Sequence, residues 1–398
     1  FSLATTALAM PTIVRGQGQD IVVAGKPVEI AVSSVSRTTV RITIRPVTGG
    51  TMPADGALVQ DEWTPIGRYA TIPGSGRTVF VALPGRRDRL VVSDRPSSPL
   101  EIAVQAPGDG EVQFQKLKID RQTGAVTFGL GVTPVLGLGE GGPQFDRRGS
   151  VDRMRSGQGG YQLRTNGGRV PIQWLMGADQ GWALYIHQPL GTFDFTGKDG
   201  RDSIGTFTPS PASQLPLDIF LVTSPNPAEL MRAYAEITGF AEMIPLWSLG
   251  YLQSHRTLAG PDQILSVAKT FREKKLPCDG LIYLGTDFTP SGWNTHNGEY
   301  TFNPANFPDP KKMIDQLHDL NFKVVLHTVI EGQRISGAVT DPCTAAPIPA
   351  GRTPDNQWPQ DRSVPCYWPS HKPLFDLGVD GFWPDQGDAY DAPSRLAR

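Results

Sequence analysis

Near Pro245 the chain changes its hydrophobic period, and that change restricts the fold more than any other feature. Before it, apolar residues come in short runs: Val28-Glu29-Ile30-Ala31-Val32, Val40-Arg41-Ile42-Thr43-Ile44, Leu90-Val91-Val92, Glu101-Ile102-Ala103-Val104 and Val112-Gln113-Phe114. Turn clusters such as Thr48-Gly49-Gly50 and Pro107-Gly108-Asp109-Gly110 separate them. Alternation at a period of two puts one face of a strand in a core and the other outside it. Many such short strands between turns predict an antiparallel sandwich. The pattern runs on through Trp182–Ile186 and Leu217–Val222, so one all-β domain is expected over residues 12–224.

Residues 225–242 read as a linker helix, entered at Pro227 and stopped by Gly239. Beyond it strands and helices alternate over residues 243–398. Trp247 to Gln253 is a first strand, and Pro261 to Lys275 a helix with Ile264, Val267, Ala268 and Phe271 on one face. Gly280 to Leu284 is a second strand, Lys311 to Leu320 a helix, and Lys323 to Ile330 a third strand. After a Pro-rich loop come a short helix at Pro373 to Leu377 and a fourth strand at Val379 to Trp383. Strands separated by helices pair in parallel, as successive βα units. The expected class is multi-domain, β followed by α/β.

The fourth strand leads to two carboxylates, Asp385 and Asp388. Parallel strands are covered on both faces and carry their chemistry at their C-terminal ends. A turn-forming or helix-capping role for the two residues is the alternative. Asp287 follows the second strand in the same way, with sugar binding or capping as its two readings. Trp293 is either a sugar-stacking platform or a buried loop anchor. Trp383 lies two residues before Asp385, on the same face by alternation, and is expected to pack the interior and contact the sugar; His327 reads as a hydrogen-bonded core histidine.

The chain has 398 residues, with 37 basic against 39 acidic, so nothing marks a nucleic-acid footprint. No apolar run is long enough for a membrane span, and no His/Asp/Glu spacing or Gly-rich loop implies a metal or other cofactor. The opening Phe1 to Met10, with Ala7-Leu8-Ala9 resembling a signal-peptidase site, predicts that residues 1–11 are a signal-peptide remnant of an exported protein, periplasmic or extracellular. An ordinary N-terminal strand or loop is the alternative. Cys343 and Cys366 bracket the Pro-rich loop and could pair in such a compartment, which leaves Cys278 as a small buried apolar residue.

Four ordered motifs resemble family 31 of the glycoside hydrolases, the α-glucosidase family. They are Gly137-Leu138-Gly139-Glu140 with Phe145-Asp146-Arg147-Arg148-Gly149, Pro245 to Ser254, Phe302-Asn303-Pro304 with Phe307-Pro308-Asp309-Pro310, and Gly378 to Asp385. The resemblance implies an N-terminal β-sandwich followed by the first four βα units of a (β/α)₈ TIM barrel. It also implies retaining hydrolysis of α-linked glycosides or oligosaccharides, with Asp385 as nucleophile. Two departures accompany it. Leu284-Gly285-Thr286-Asp287 carries one acid where the family usually has two, and Gln386-Gly387-Asp388 stands where the family has Met-Asn-Glu. The acid/base expected two strands further on has no counterpart here, so the chain is expected to be a truncated fragment, inactive alone. An α-glucosidase-like enzyme is the first expectation. The alternatives are a non-catalytic carbohydrate-binding relative, or α-xylosidase or α-galactosidase specificity on the same scaffold.

Overall fold

The computed structural model describes residues 19–49, 57–72, 77–105, 116–154, 170–188, 190–211, 214–255, 258–285, 289, 291–295, 300–329 and 371–385. Residues 1–11, the run Val112–Phe114, Asp287, Asp388, Cys343 and Cys366 lie outside the described residues. The chain forms two compact units that divide, among those residues, between Ala241 and Glu242.

The first unit is built from β1 (Val22–Val23), β2 (Lys26–Ser34), β3 (Thr39–Pro46), β4 (Pro65–Tyr69), β5 (Thr78–Ala82), β6 (Arg89–Ser93), β7 (Leu100–Gln105), β8 (Leu117–Ile119), β9 (Val126–Gly129), β10 (Leu136–Gly137), β11 (Val151–Asp152), β12 (Trp174–Gly177), β13 (Trp182–Ile186), β14 (Gly191–Asp199), β15 (Asp202–Pro209) and β16 (Leu217–Thr223). One sheet runs β1-β2-β3-β16-β13-β12-β10 with β4 also on β2, and the other runs β11-β14-β15-β9-β8-β7-β6-β5. Alternation decides which side chains enter the core. Val28, Ile30, Val32, Val40, Ile42 and Ile44 of the first sheet join Leu90, Val92, Leu100, Ile102 and Val104 of the second in one buried cluster.

The opposite face of the first sheet is covered in part by helix α1 (Pro227–Thr238). Asn226 caps α1 by accepting the Ala228 N–H at 3.0 Å, and Pro227 occupies the first turn. Leu230, Ala233 and Ile237 bury against Trp174, Tyr185 and Phe220. Helix α1 therefore belongs to the packing of the first unit.

The second unit repeats one motif: β17 (Leu252–His255), α2 (Pro261–Glu273), β18 (Gly280–Tyr283), α3 (Pro310–Asp319), β19 (Lys323–Val329), α4 (371–377) and β20 (Gly381–Asp385). The four strands pair in chain order and in parallel. Each of the two long helices starts at a proline in its first turn. Asp309 caps α3 through the Lys312 N–H at 3.1 Å. Ile264, Leu265 and Ala268 of α2 and Met313, Ile314 and Leu317 of α3 pack with Leu281, Tyr283, Val324 and Leu326 of the strands. Lys275 and Asn321 end the two helices in the left-handed region, at φ of 56° in each case.

Two boundaries differ from the expected ones. The first parallel strand begins at Leu252, because Pro245 opens a separate 3₁₀ turn over Leu246–Leu249. The indole of that turn's Trp247 comes within 3.5 Å of where a Cβ on Gly381 would lie. The fourth strand starts at Gly381, two residues later than expected. Gly378 has φ of 114°, and the Asp380 side chain is bonded outside the ladder to Lys323, His318 and the Val324 N–H.

Candidate active site

The C-terminal ends of β18, β19 and β20 converge on a buried scaffold. His327 of β19 has no exposed surface. Its Nδ1 accepts the Gly285 N–H at 3.3 Å, just past β18, and its ring meets Trp383 of β20 edge to face at 4.7 Å. An accepting Nδ1 on a neutral ring leaves the proton on Nε2. His327 thus links three neighbouring strand ends, which gives physical content to the core-histidine reading.

Trp293 is 0% exposed. Its Nε1–H donates to the His327 carbonyl at 2.8 Å, and its own backbone N–H bonds the Leu284 carbonyl at 3.2 Å. Phe302 packs edge-on against it at 5.4 Å, and the Asn303 N–H donates to its carbonyl at 2.7 Å. No indole face is open for a sugar, so Trp293 is here a loop anchor and not an open platform. What it anchors is the chain that leaves β18.

Tyr283 closes the same region from below. Burial pushes its phenol up to about 12, against a smaller opposing effect of the Ser291 contact. Its hydroxyl lies against the carbonyls of Leu258 at 2.5 Å and Ser291 at 2.8 Å.

Trp383 differs from both, since it is 40% exposed while one side rests on His327. Its carbonyl receives the Thr328 hydroxyl at 3.4 Å. Two residues on, Asp385 is the last residue of β20, its Cα opposite Val329. The strand therefore extends as far as the carboxylate-bearing residue expected just past its end. The other end of β20 is fastened by Asp380, which accepts from Lys323 Nζ at 2.8 Å, His318 Nε2 at 2.7 Å and the Val324 N–H at 2.9 Å. Burial raises the proton affinity of this carboxyl. Lys323, the Val324 amide and His318 outweigh it and hold the pKa below the usual carboxylate range.

The roles of His327 and Asp380 were only partly visible beforehand. Alternation buries His327, but its bond to Gly285 depends on strand order. Asp380 interrupts an apolar run, the one signal that it has partners off the strand. Among the described residues no group of His, Cys, Asp or Glu is placed to hold a metal ion, and no helix is long and apolar enough to cross a membrane. Cys278 is buried and its thiol pKa is raised by that burial.

The Glyco_hydro_31_2nd model, the "Glycosyl hydrolases family 31 TIM-barrel domain", matches residues 241–396. The α-xylosidase of Saccharolobus solfataricus is 27% identical over 172 residues, 43% of this chain and 23% of that protein. Neutral alpha-glucosidase AB of Homo sapiens is 32% identical over 109 residues, 27% of this chain and 11% of the other. Among solved structures, the Flavobacterium johnsoniae GH31 dextranase complexed with glucose superposes with a TM-score of 0.65 at 18% identity, over 91% of this chain and 45% of that one. A soil-metagenome GH31 α-xylosidase complexed with xylose superposes with a TM-score of 0.59 at 14% identity, over 92% and 56%. The structural likeness is one of fold, and the chain spans less than half the length of the curated relatives it matches. The family 31 barrel model falls on the second unit, with Asp385 ending its fourth parallel strand, and it is this unit that matches the TIM-barrel domain of glycoside hydrolase family 31.

Proposed function

We propose that this chain is part of a retaining α-glycoside hydrolase in which Asp385 is the nucleophile. The observation that carries the reading is the position of Asp385 as the terminal residue of a parallel strand, two residues beyond Trp383, whose Cα pairs with His327. In the proposed reaction the carboxylate attacks the anomeric carbon as the glycosidic oxygen leaves. Water then hydrolyses the glycosyl ester, so the configuration is retained. A second carboxyl group protonates the leaving oxygen and afterwards takes the proton from water. Asp287, Asp388 and the open side of Trp383 are proposed to bind the sugar, while Trp293 anchors the chain that leaves β18 at Leu284.

The two facing antiparallel sheets support a β-sandwich as the N-terminal domain, and the four parallel strands support the first half of a (β/α)₈ barrel. An eight-stranded closure needs four more βα units. The chain covers 45% of the dextranase, which supports its being part of a longer enzyme, and we propose that it is inactive alone. Export to the periplasm or the cell exterior remains part of the proposal. The substrate class is an α-linked glucoside or xyloside, the sugars named for the relatives above.

The test is to incubate the complete enzyme with a fluorinated glycosyl trapping reagent and map the adduct. Label on the peptide containing Asp385, lost in Asp385→Asn, is expected. A stable adduct on another residue refutes the assignment.

A further inference from the structure

The face of the first sheet that points away from its core contains a hollow of about 160 Å³, formed by β2, β3, β4 and the segment 61–65. At a bulk share of about 30 Å³ per water it holds roughly five water volumes, the scale of one sugar ring and too small for a chain of them. Its floor carries three guanidinium groups, from Arg41, Arg45 and Arg68. Arg41 is fully engaged. It forks onto Asp218 at 2.8 Å through both Nε and Nη2, and donates Nη1 to the Asp61 carbonyl at 2.8 Å. It also lies over the Trp63 ring at 4.8 Å. Arg68 uses Nε and Nη2 on Glu29, at 2.7 and 3.0 Å. Arg45 makes one long contact with the same carboxylate, from Nη2 at 3.3 Å, and its side chain is 27% exposed.

Asp218 neutralises Arg41, while Glu29 alone faces both Arg45 and Arg68. Arg45 and Arg68 line the hollow, and Nε and Nη1 of Arg45 and Nη1 of Arg68 take no part in the bonds to Glu29. The half-buried Trp63 lines the hollow with the part of its ring that Arg41, and Phe220 edge to face at 5.6 Å, leave uncovered, and the exposed acids Asp61 and Glu62 line it too. A small anion would meet the arginines but be repelled by these acids. A cation would meet the acids but be repelled by the arginines. A neutral molecule that both donates and accepts, and has an apolar face to lay on an indole, satisfies all three surfaces. Vicinal hydroxyls on a pyranose ring match the fork of an arginine and leave C–H groups for the uncovered part of the indole.

We propose that this hollow is a second carbohydrate-binding site, confined to the first unit, which takes one neutral pyranose ring. The choice of a glucoside as first ligand rests on the proposed glycosidase function, while the site itself does not. Cross-strand ion pairing explains why Glu29 is buried. It does not explain a concave floor with unspent guanidinium donors beside a tryptophan.

The experiment labels the 398-residue chain with 5-fluorotryptophan and identifies the Trp63 signal in the ¹⁹F spectrum by its loss in Trp63→Phe. Methyl α-D-glucopyranoside is then titrated in. A saturable shift of the Trp63 signal is expected, with half-saturation on the order of millimolar. Arg45→Met should raise the half-saturation at least about tenfold, the effect of losing a charged hydrogen-bond donor, with an unchanged melting temperature. If that variant does not fold, Glu62→Gln, at an exposed position, should weaken binding by about threefold. No shift of Trp63, an equal response in the folded variant, or saturation by sodium sulfate below the sugar concentration needed would each overturn the proposal. The shift is read at Trp63 and should be the same in Asp385→Asn, so failure here and failure of the nucleophile assignment are separate results.

Discussion

Asp380→Asn tests how β20 is held. Asp380 has a 14% exposed side chain, and its partners Lys323 and His318 are 39% and 33% exposed. Screening limits each of those two pairs to about 0.5 kcal/mol. The bond from the Val324 N–H at 2.9 Å is different, because a charged acceptor becomes a neutral amide oxygen, at a cost of about 1 kcal/mol. The sum is about 2 kcal/mol, which corresponds to about 30-fold faster local opening. Hydrogen exchange read by mass spectrometry on the peptide covering 374–384 isolates that change from the stability of the first unit. The pH dependence has a definite sign. The folded pKa of Asp380 is depressed, so its stabilisation is complete above the unfolded carboxyl value of about 3.9 and disappears as pH falls through the folded pKa. The difference between wild type and Asp380→Asn should therefore be full at pH 6 and close below about pH 4. Equal exchange rates at pH 6, or a gap constant from pH 6 to pH 3, would refute the reasoning.

Other substitutions probe the remaining supports. Trp293→Ala removes a fully buried indole and its bond to the His327 carbonyl, and should destabilise the second unit by about 3–5 kcal/mol in urea unfolding. Gly139→Ala places a Cβ 2.2 Å from the Val170 carbonyl oxygen at φ of 75°, so its melting temperature should fall by several degrees, whereas exposed Gly200→Ala meets no atom and should show only the smaller cost of its φ. Arg41→Met strands the buried Asp218 and should cost about 3–5 kcal/mol, measured by calorimetry of the first unit's transition. Burial opposes ionisation of Asp218, but His187 and Arg41 hold its pKa low, so that cost should shrink only in strong acid.

Local period carried much of the architecture. Helix α2 was expected at Pro261 to Lys275 and runs Pro261–Glu273, and the expected strand Lys323 to Ile330 is β19, Lys323–Val329. Both have a clear face and a clear stop. The order of strands in the first unit was not legible. Inserting β16 between β3 and β13 joins segments far apart in sequence, and the alternation of Leu217, Ile219 and Leu221 specifies a face but no neighbour. The Trp247 to Gln253 run differs for a related reason, since apolar content without alternation does not distinguish a strand from a turn whose leucines stay exposed. At the candidate site, the end of the fourth strand was readable because it joins an apolar run to an acid. The burial of Trp293 was not, because the same composition suits a platform and an anchor alike.

Trp247 has a consequence for how the first and fourth parallel strands are tied together. Three inter-strand steps of about 4.8 Å separate the first and fourth strands of a flat sheet. Yet the residue leading into β17 reaches Gly381 at the start of β20. One aromatic side chain from the turn before β17 therefore touches the start of β20, a strand that β17 does not pair with. A Cβ at 381 would meet that indole at 3.5 Å, so a bulkier residue there would push the turn and the fourth strand apart.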